Sequence, residues 1–118
     1  MKYRNDYKRQ GIGYKIVRVQ SNRWYSWIVS SPKMVEYELF KRTYPNDRCG
    51  PLHVFKSLFW ARYYKKKYGT GEEKIIKVTF FASKEQPSWL MRIFANWFTS
   101  VPRSTIYAAS VLPIRVIE

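Results

Sequence analysis

The chain has 118 residues, of which 46% are hydrophobic and 19% aromatic. That excludes a polar disordered tract and fits one domain with one core. It carries 22 Lys and Arg against 8 Asp and Glu, a formal net charge of +14. Such an excess repels itself in a compact state and is relieved by a polyanion. Nucleic acid therefore comes first among partners, an acidic protein second and an anionic membrane last.

A single cysteine, Cys49, cannot form an internal disulfide, which fits a reducing, intracellular (cytoplasmic) setting. No run reaches the roughly 20 apolar residues of a spanning helix. The N-terminus MKYRNDYKRQ lacks the apolar stretch of a secretory signal.

In chain order, residues 1–10 set Lys2, Arg4, Lys8 and Arg9 around Tyr3 and Tyr7 without a core pattern, and read as a basic N-terminal arm before a single domain over 11–118. GYKIVRV (13–19) and WYSWIVS (24–30) flank the turn signal QSNR and predict a hairpin. KMVEYELF (33–40) alternates, with Val35, Tyr37 and Leu39 on one face and the solvated Glu36 and Glu38 on the other. Turn chemistry fills 41–51, and LHVF (52–55) adds a short extended piece.

The spacing predicts a helix over 57–68, with Ser57 as N-cap and Gly69 as the left-handed residue beyond its end. Trp60, Tyr64 and Tyr68 form its core stripe, and Arg62, Lys65 and Lys66 lie opposite. KIIKVTFFA (74–82) reads as a strand with Ile76, Val78 and Phe80 on one face. SWLMRIFANWFTSVP (88–102) reads as a second helix with one narrow polar stripe. The run 105–118 closes the chain as a strand, and Pro113 places it at a sheet edge. The order β-β-β-α-β-α-β implies an α+β fold: a mostly antiparallel sheet of four to five strands with one or two helices on one face.

The inventory for catalysis is thin. His53 is the sole histidine, and Cys49 precedes it by four residues across a Gly50–Pro51 turn. A thiolate needs a nearby base, but such pairs meet through the fold and not through local spacing. One Cys and one His do not complete a zinc site. GTG at 69–71 lacks the GK[ST] of a phosphate loop, and GIG at 11–13 precedes a strand where a dinucleotide fingerprint follows one. The expectation is a non-enzymatic protein with no cofactor or metal.

Binding is better supported. Lys and Arg neutralise phosphates, and aromatic faces stack on unpaired bases. The candidate nucleic-acid contacts are Lys8, Arg9, Lys41, Arg42, Arg62, Lys65, Lys66 and Lys67, with Arg103 and Arg115 more scattered. Phe59 and Tyr63 border the basic side of the helix. No signature of a sequence-reading module is present, so phosphate contact is the expected mode, to DNA or RNA. A second reading makes the chain an interaction module or homo-oligomer that docks through Trp89, Phe94 and Trp97 of the apolar 88–102 segment.

CGPLHVFKSLFWARYYKKKYG, EEKIIKVTF and TIYAASVLPIRVIE together resemble small uncharacterised proteins of phages and archaeal viruses, which carry a G-P-L-x-V-F segment, an Ala-containing helix, a strand and a closing A-x-x-V strand. The likeness spans about half of the chain. It implies a viral accessory protein and transfers no functional residue. The 88–102 segment departs from that pattern and reads as an insertion.

Overall fold

The computed structural model describes residues 5–27, 35–45, 52–83 and 105–118, with the backbone alone for 5–9. Along the chain these form β1 (Asn5–Gln20), β2 (Arg23–Ser26), β3 (Glu36–Tyr37), β4 (Leu52–Phe55), α1 (Leu58–Tyr68), β5 (Glu73–Ser83) and β6 (Thr105–Val116). The fold is thus a mostly antiparallel sheet with a helix, as expected. Among the described residues there are six strands where four to five were expected, and LHVF is a full strand, β4. The described order is β-β-β-β-α-β-β. The expected helix at 88–102 lies outside the described residues.

The sheet runs β3-β2-β1-β4-β6-β5, and β5 also pairs with β1, so the sheet closes on itself as a small barrel. Closure needs a strand long enough to be shared. β1 runs for 16 residues. Gln10 to Arg18 pair with Phe81 to Glu73 of β5. On its other edge Val17–Gln20 pair with β2, and Tyr14 pairs with Phe55 of β4. The β1–β2 connection is a two-residue turn, Ser21 and Asn22, both with positive φ (51° and 64°), the conformation whose twist matches a hairpin. Residues 5–10, expected as an arm, form the start of β1, with Asn5 opposite Ser83 and Asp6 opposite Ala82.

Register decides which residues face inward. Cross-strand partners share a face, so Val17, Ile76, Val78, Phe80 and Ala82 point into the barrel with Leu52, Val54, Ala108, Val111 and Tyr37. The neighbours of these residues point outward. Ile16, Phe55, Ala61 and Ile75 form a second cluster between the barrel wall and α1, with Tyr14, Trp60, Tyr64 and Ile117 packed against it. The consecutive Ile75 and Ile76 are both fully buried, one under the helix and one in the barrel. β5 is therefore apolar on both faces near its start, which is why its alternation is weak there.

Three local expectations change. β6 is internal in the sheet order, pairing with β4 through Thr105–Ala108 and with β5 through Ala108–Val116, so that around Pro113 its strand partner among the described residues is β5 alone. Pro113 is accommodated at a register irregularity opposite Val78, and its carbonyl accepts from the Phe40 N–H at 2.8 Å. Gly69 is not left-handed: its φ is −74° and ψ 158°. A Cβ there would collide with the Lys65 carbonyl and lie 2.7 Å from Glu73 Oε1, so close approach requires the glycine. Ser57 stands at the N-cap without a side-chain capping bond.

The barrel crosses tightest at Gly13. An added Cβ would run into Val54 Cγ1 and stand 2.9 Å from the Phe55 carbonyl. Gly13→Ala should therefore lower stability by about 1–3 kcal/mol through overpacking, measured by urea unfolding. An unchanged midpoint would contradict the β1–β4 closure.

One charged side chain breaks the inward apolar pattern. Lys15 is 7% exposed and shares a face with Ile76. Its Nζ donates to the His53 carbonyl at 2.5 Å and lies 5.0 Å from the centre of the Tyr37 ring. Burial lowers its pKa from 10.5 to about 7. The His53 ring meets Tyr107 edge-on at 5.1 Å. Its pKa falls to about 4 through burial and then the Lys15 charge.

Both groups hold their protons less readily when folded, so the unfolded chain binds more protons between about pH 4 and 6.5 (His53) and between about pH 7 and 10.5 (Lys15). Stability should rise with pH through both windows. Lys15→Met should raise the urea midpoint at pH 7 and below and remove the rise above pH 7. A Lys15→Met protein with the wild-type slope above pH 7 would contradict a buried amine.

Candidate nucleic-acid interface

Apart from Lys15, the barrel interior takes mainly apolar side chains, so the cations of α1 stand outside it. α1 seats Ala61 flat against the wall, fully buried. Trp60, Tyr64 and Tyr68 are half-buried beside it, in keeping with the expected core stripe. They form a run of ring contacts: Phe55 stacks on Tyr64 at 5.8 Å, and Tyr64 on Tyr68 at 6.1 Å.

The sequence-predicted cluster Arg62, Lys65, Lys66 and Lys67 lies together on α1: Arg62 and Lys66 stand opposite the core stripe, while Lys65 and Lys67 lie on its two flanks. Arg62, Lys66 and Lys67 are exposed and Lys65 is half-buried. Arg62 Nε donates to Glu118 Oε1 at 2.5 Å, which ties the helix to the end of the chain. Lys67 Nζ donates to the Tyr63 hydroxyl at 3.3 Å and lies near the Tyr63 and Tyr68 rings. The Tyr63 hydroxyl bond raises the Lys67 pKa, so the ammonium stays charged. Lys65–Lys67 also fall in the last turn, where cations complement the helix dipole. A shallow groove at that end is lined by Arg62, Lys65, Lys66, Gly69, Gly71 and Glu73, with Glu118 at its side.

Glu73, beside this face, is engaged by the loop after α1. Burial pushes the Glu73 carboxyl up, but bonds from Thr70 (N–H at 2.8 Å, hydroxyl at 2.9 Å) and the Gly71 N–H (3.0 Å) outweigh it and hold the pKa below normal. Glu36 pairs with Arg23 and Glu38 with Lys41. Among the described residues, Lys65, Lys66, Lys77 and Arg115 have no carboxylate within 4.0 Å.

Lys77 and Arg115 were weak or absent in the sequence reading. They are direct cross-strand partners, and like charges so placed repel. Tyr14, which packs against the cluster beneath α1, is the partner of Lys77 on its other side. This basic row therefore flanks the helix. The signal for it is a pairing register, which a single sequence does not reveal.

The remaining predicted contacts separate from this face. Lys41 is exposed and bound to Glu38 at 3.3 Å. Arg42 is half-buried, stacked on Phe81 at 4.9 Å and bonded to Ser110 Oγ at 2.9 Å, so it braces the 40–43 segment against β6. For Lys8 and Arg9 only the backbone, in β1, is described. Cys49, Trp89, Phe94 and Trp97 lie outside the described residues. His53 Nε2 is buried without a hydrogen-bond partner.

Several large apolar side chains remain exposed, among them Phe40 (74%), Phe59 (66%) and Tyr63 (41%). Phe40 also has a φ of 62°, uncommon for a bulky residue. It ends the alternating 33–40 run in a turn instead of a strand. Phe59 and Tyr63 share the solvent side of α1 with Arg62, Lys66 and Lys67.

Among the described residues there is no grouping of three His, Cys, Asp or Glu that could hold a metal, and no helix is long and apolar enough to cross a membrane. No protein-family model, curated protein or solved structure matches the chain.

Proposed function

We propose that the chain is a small nucleic-acid-binding accessory protein without catalytic chemistry of its own, gripping phosphates through the outer face of α1. The supporting observation is the set Arg62, Lys65, Lys66 and Lys67 along one helix, with Arg62, Lys66 and Lys67 exposed and, among the described residues, Glu73 and Glu118 the carboxylates that line the adjoining groove. Lys77 and Arg115 extend the field along the adjoining sheet. The net charge of +14 makes phosphate contact the dominant attraction at low salt. Lys41 and Arg42 contribute less in this reading, since one is paired to Glu38 and the other is spent on packing.

Fluorescence anisotropy with labelled oligonucleotides over a series of salt concentrations tests this. Log K should fall linearly with log salt. Replacing Lys65, Lys66 and Lys67 together by Ala should reduce the slope by about 2–3, at roughly 0.7–0.9 per lost phosphate contact. Lys66 and Lys67 are exposed and Lys65 is only half-buried, so melting should change little. An absence of binding at low salt, or an unchanged slope in the triple variant, would overturn the assignment.

A further inference from the structure

Resting on the phosphate-binding reading, we infer that the α1 face takes single-stranded nucleic acid in preference to duplex, with unpaired bases stacking on Phe59 and Tyr63 while Arg62, Lys66 and Lys67 hold the backbone. The two rings are four residues apart, one turn and about 6 Å along the axis. They are 66% and 41% exposed, and Phe59 and Tyr63 stand on the side that the barrel does not cover.

The rings are also held in place. Phe59 meets Trp60 edge-on at 5.2 Å. Tyr63 meets Trp60 at 5.4 Å and Tyr64 at 5.1 Å, both edge-on, and its hydroxyl accepts from Lys67. Trp60 and Tyr64 pack in turn against the Ile16–Ile75 cluster. An edge-on neighbour restrains a ring without covering both of its faces; Lys67 Nζ lies 5.5 Å over the Tyr63 ring, so a base stacks there on the face away from Lys67. Little ordering remains to be done when a base arrives.

The occupant follows from chemistry. Two exposed rings amid three exposed cations want a polyanion that also offers flat apolar faces. A duplex supplies phosphates, but its bases are stacked at about 3.4 Å and hide their faces. A single strand offers both, and every base has a face to stack, so the preference is independent of sequence. An acidic protein lacks the regular pairing of charge and ring.

The probes are a single-stranded DNA and a single-stranded RNA of about 16 nucleotides and the matching duplexes, at one salt concentration. Single strands should bind at least about tenfold more tightly than duplex. Phe59→Ala with Tyr63→Ala should weaken single-strand binding by about tenfold or more, leave duplex binding and the salt slope unchanged, and leave melting near wild type. Tyr63→Phe, which keeps the ring, should retain single-strand affinity.

Equal affinity for duplex, or wild-type single-strand binding without the rings, would overturn the inference while the phosphate reading stands. No binding to any probe at low salt would overturn both. Self-association in sedimentation that Phe59→Ala abolishes would also overturn it, because a second copy would then cover the rings.

Discussion

Closure of the sheet through β1 is the constraint on which the rest of the molecule depends. One long strand pairs with β5 along one edge and with β2 and β4 along the other, while β6 joins β4 to β5. Closure leaves few unpaired backbone groups in the wall and encloses an interior too small for anything but side chains. That interior admits Val17, Val54, Ile76, Val78 and Val111, all essentially without exposure. A sheet with a full interior has a single place left for a helix, against its outer surface. Ile16 and Ile75 provide the apolar seat, and the helix shows its basic side to solvent.

The same constraint sorts the charges. With the interior apolar and the acids few, the cations are displaced outward, and most of the described carboxylates are drawn into local bonds. Glu73 closes the loop after α1, and Glu118 ties down Arg62. Among the described residues, the cations without a carboxylate within 4.0 Å include Lys65, Lys66 and Lys67 on α1 and the Lys77–Arg115 row beside it, with Lys56 and Lys74 elsewhere on the surface. Lys15 is the exception, kept inside at the cost of its ordinary basicity by one carbonyl and one ring face. It makes the barrel more tolerant of alkaline than of acid conditions.

Local patterns were legible in the sequence and shared registers were not. The helix was placed within a residue of its observed start and at its observed end, because Ala61, Trp60, Tyr64 and Gly69 mark period and stop locally. The hairpin turn at Ser21–Asn22 and the inward Ile76–Val78–Phe80 face were equally local. β4 was underread because four residues carry little periodicity. β6 was placed at an edge because Pro113 usually marks one; β4 covers only its Thr105–Ala108 part, and at Pro113 the Phe40 N–H bonds to the proline carbonyl while a register irregularity lies in the pairing with β5. Residues 5–10 looked like an arm because their partners, Phe81–Ser83, are seventy residues away in the chain. The candidate site shows the same division. Lys65–Lys67 could be read from the helix period, whereas Lys77–Arg115 required the register and Arg42's packing role required Phe81 and Ser110.

Stacking and charge now appear on one surface. The helical period had separated rings from cations, with Trp60, Tyr64 and Tyr68 inward and Arg62, Lys65 and Lys66 outward. Burial agrees with the outward place of Arg62 and Lys66, leaves Lys65 half-buried like Trp60, Tyr64 and Tyr68, and places Phe59 and Tyr63 with the exposed cations. The most direct measurement is an amide chemical-shift map of the 15N-labelled chain during titration with a short oligonucleotide. The account predicts the largest shifts at 59–67, with smaller ones at Lys77 and Arg115. Shifts concentrated instead around Lys41 and Phe40, with 59–67 unmoved, would contradict it.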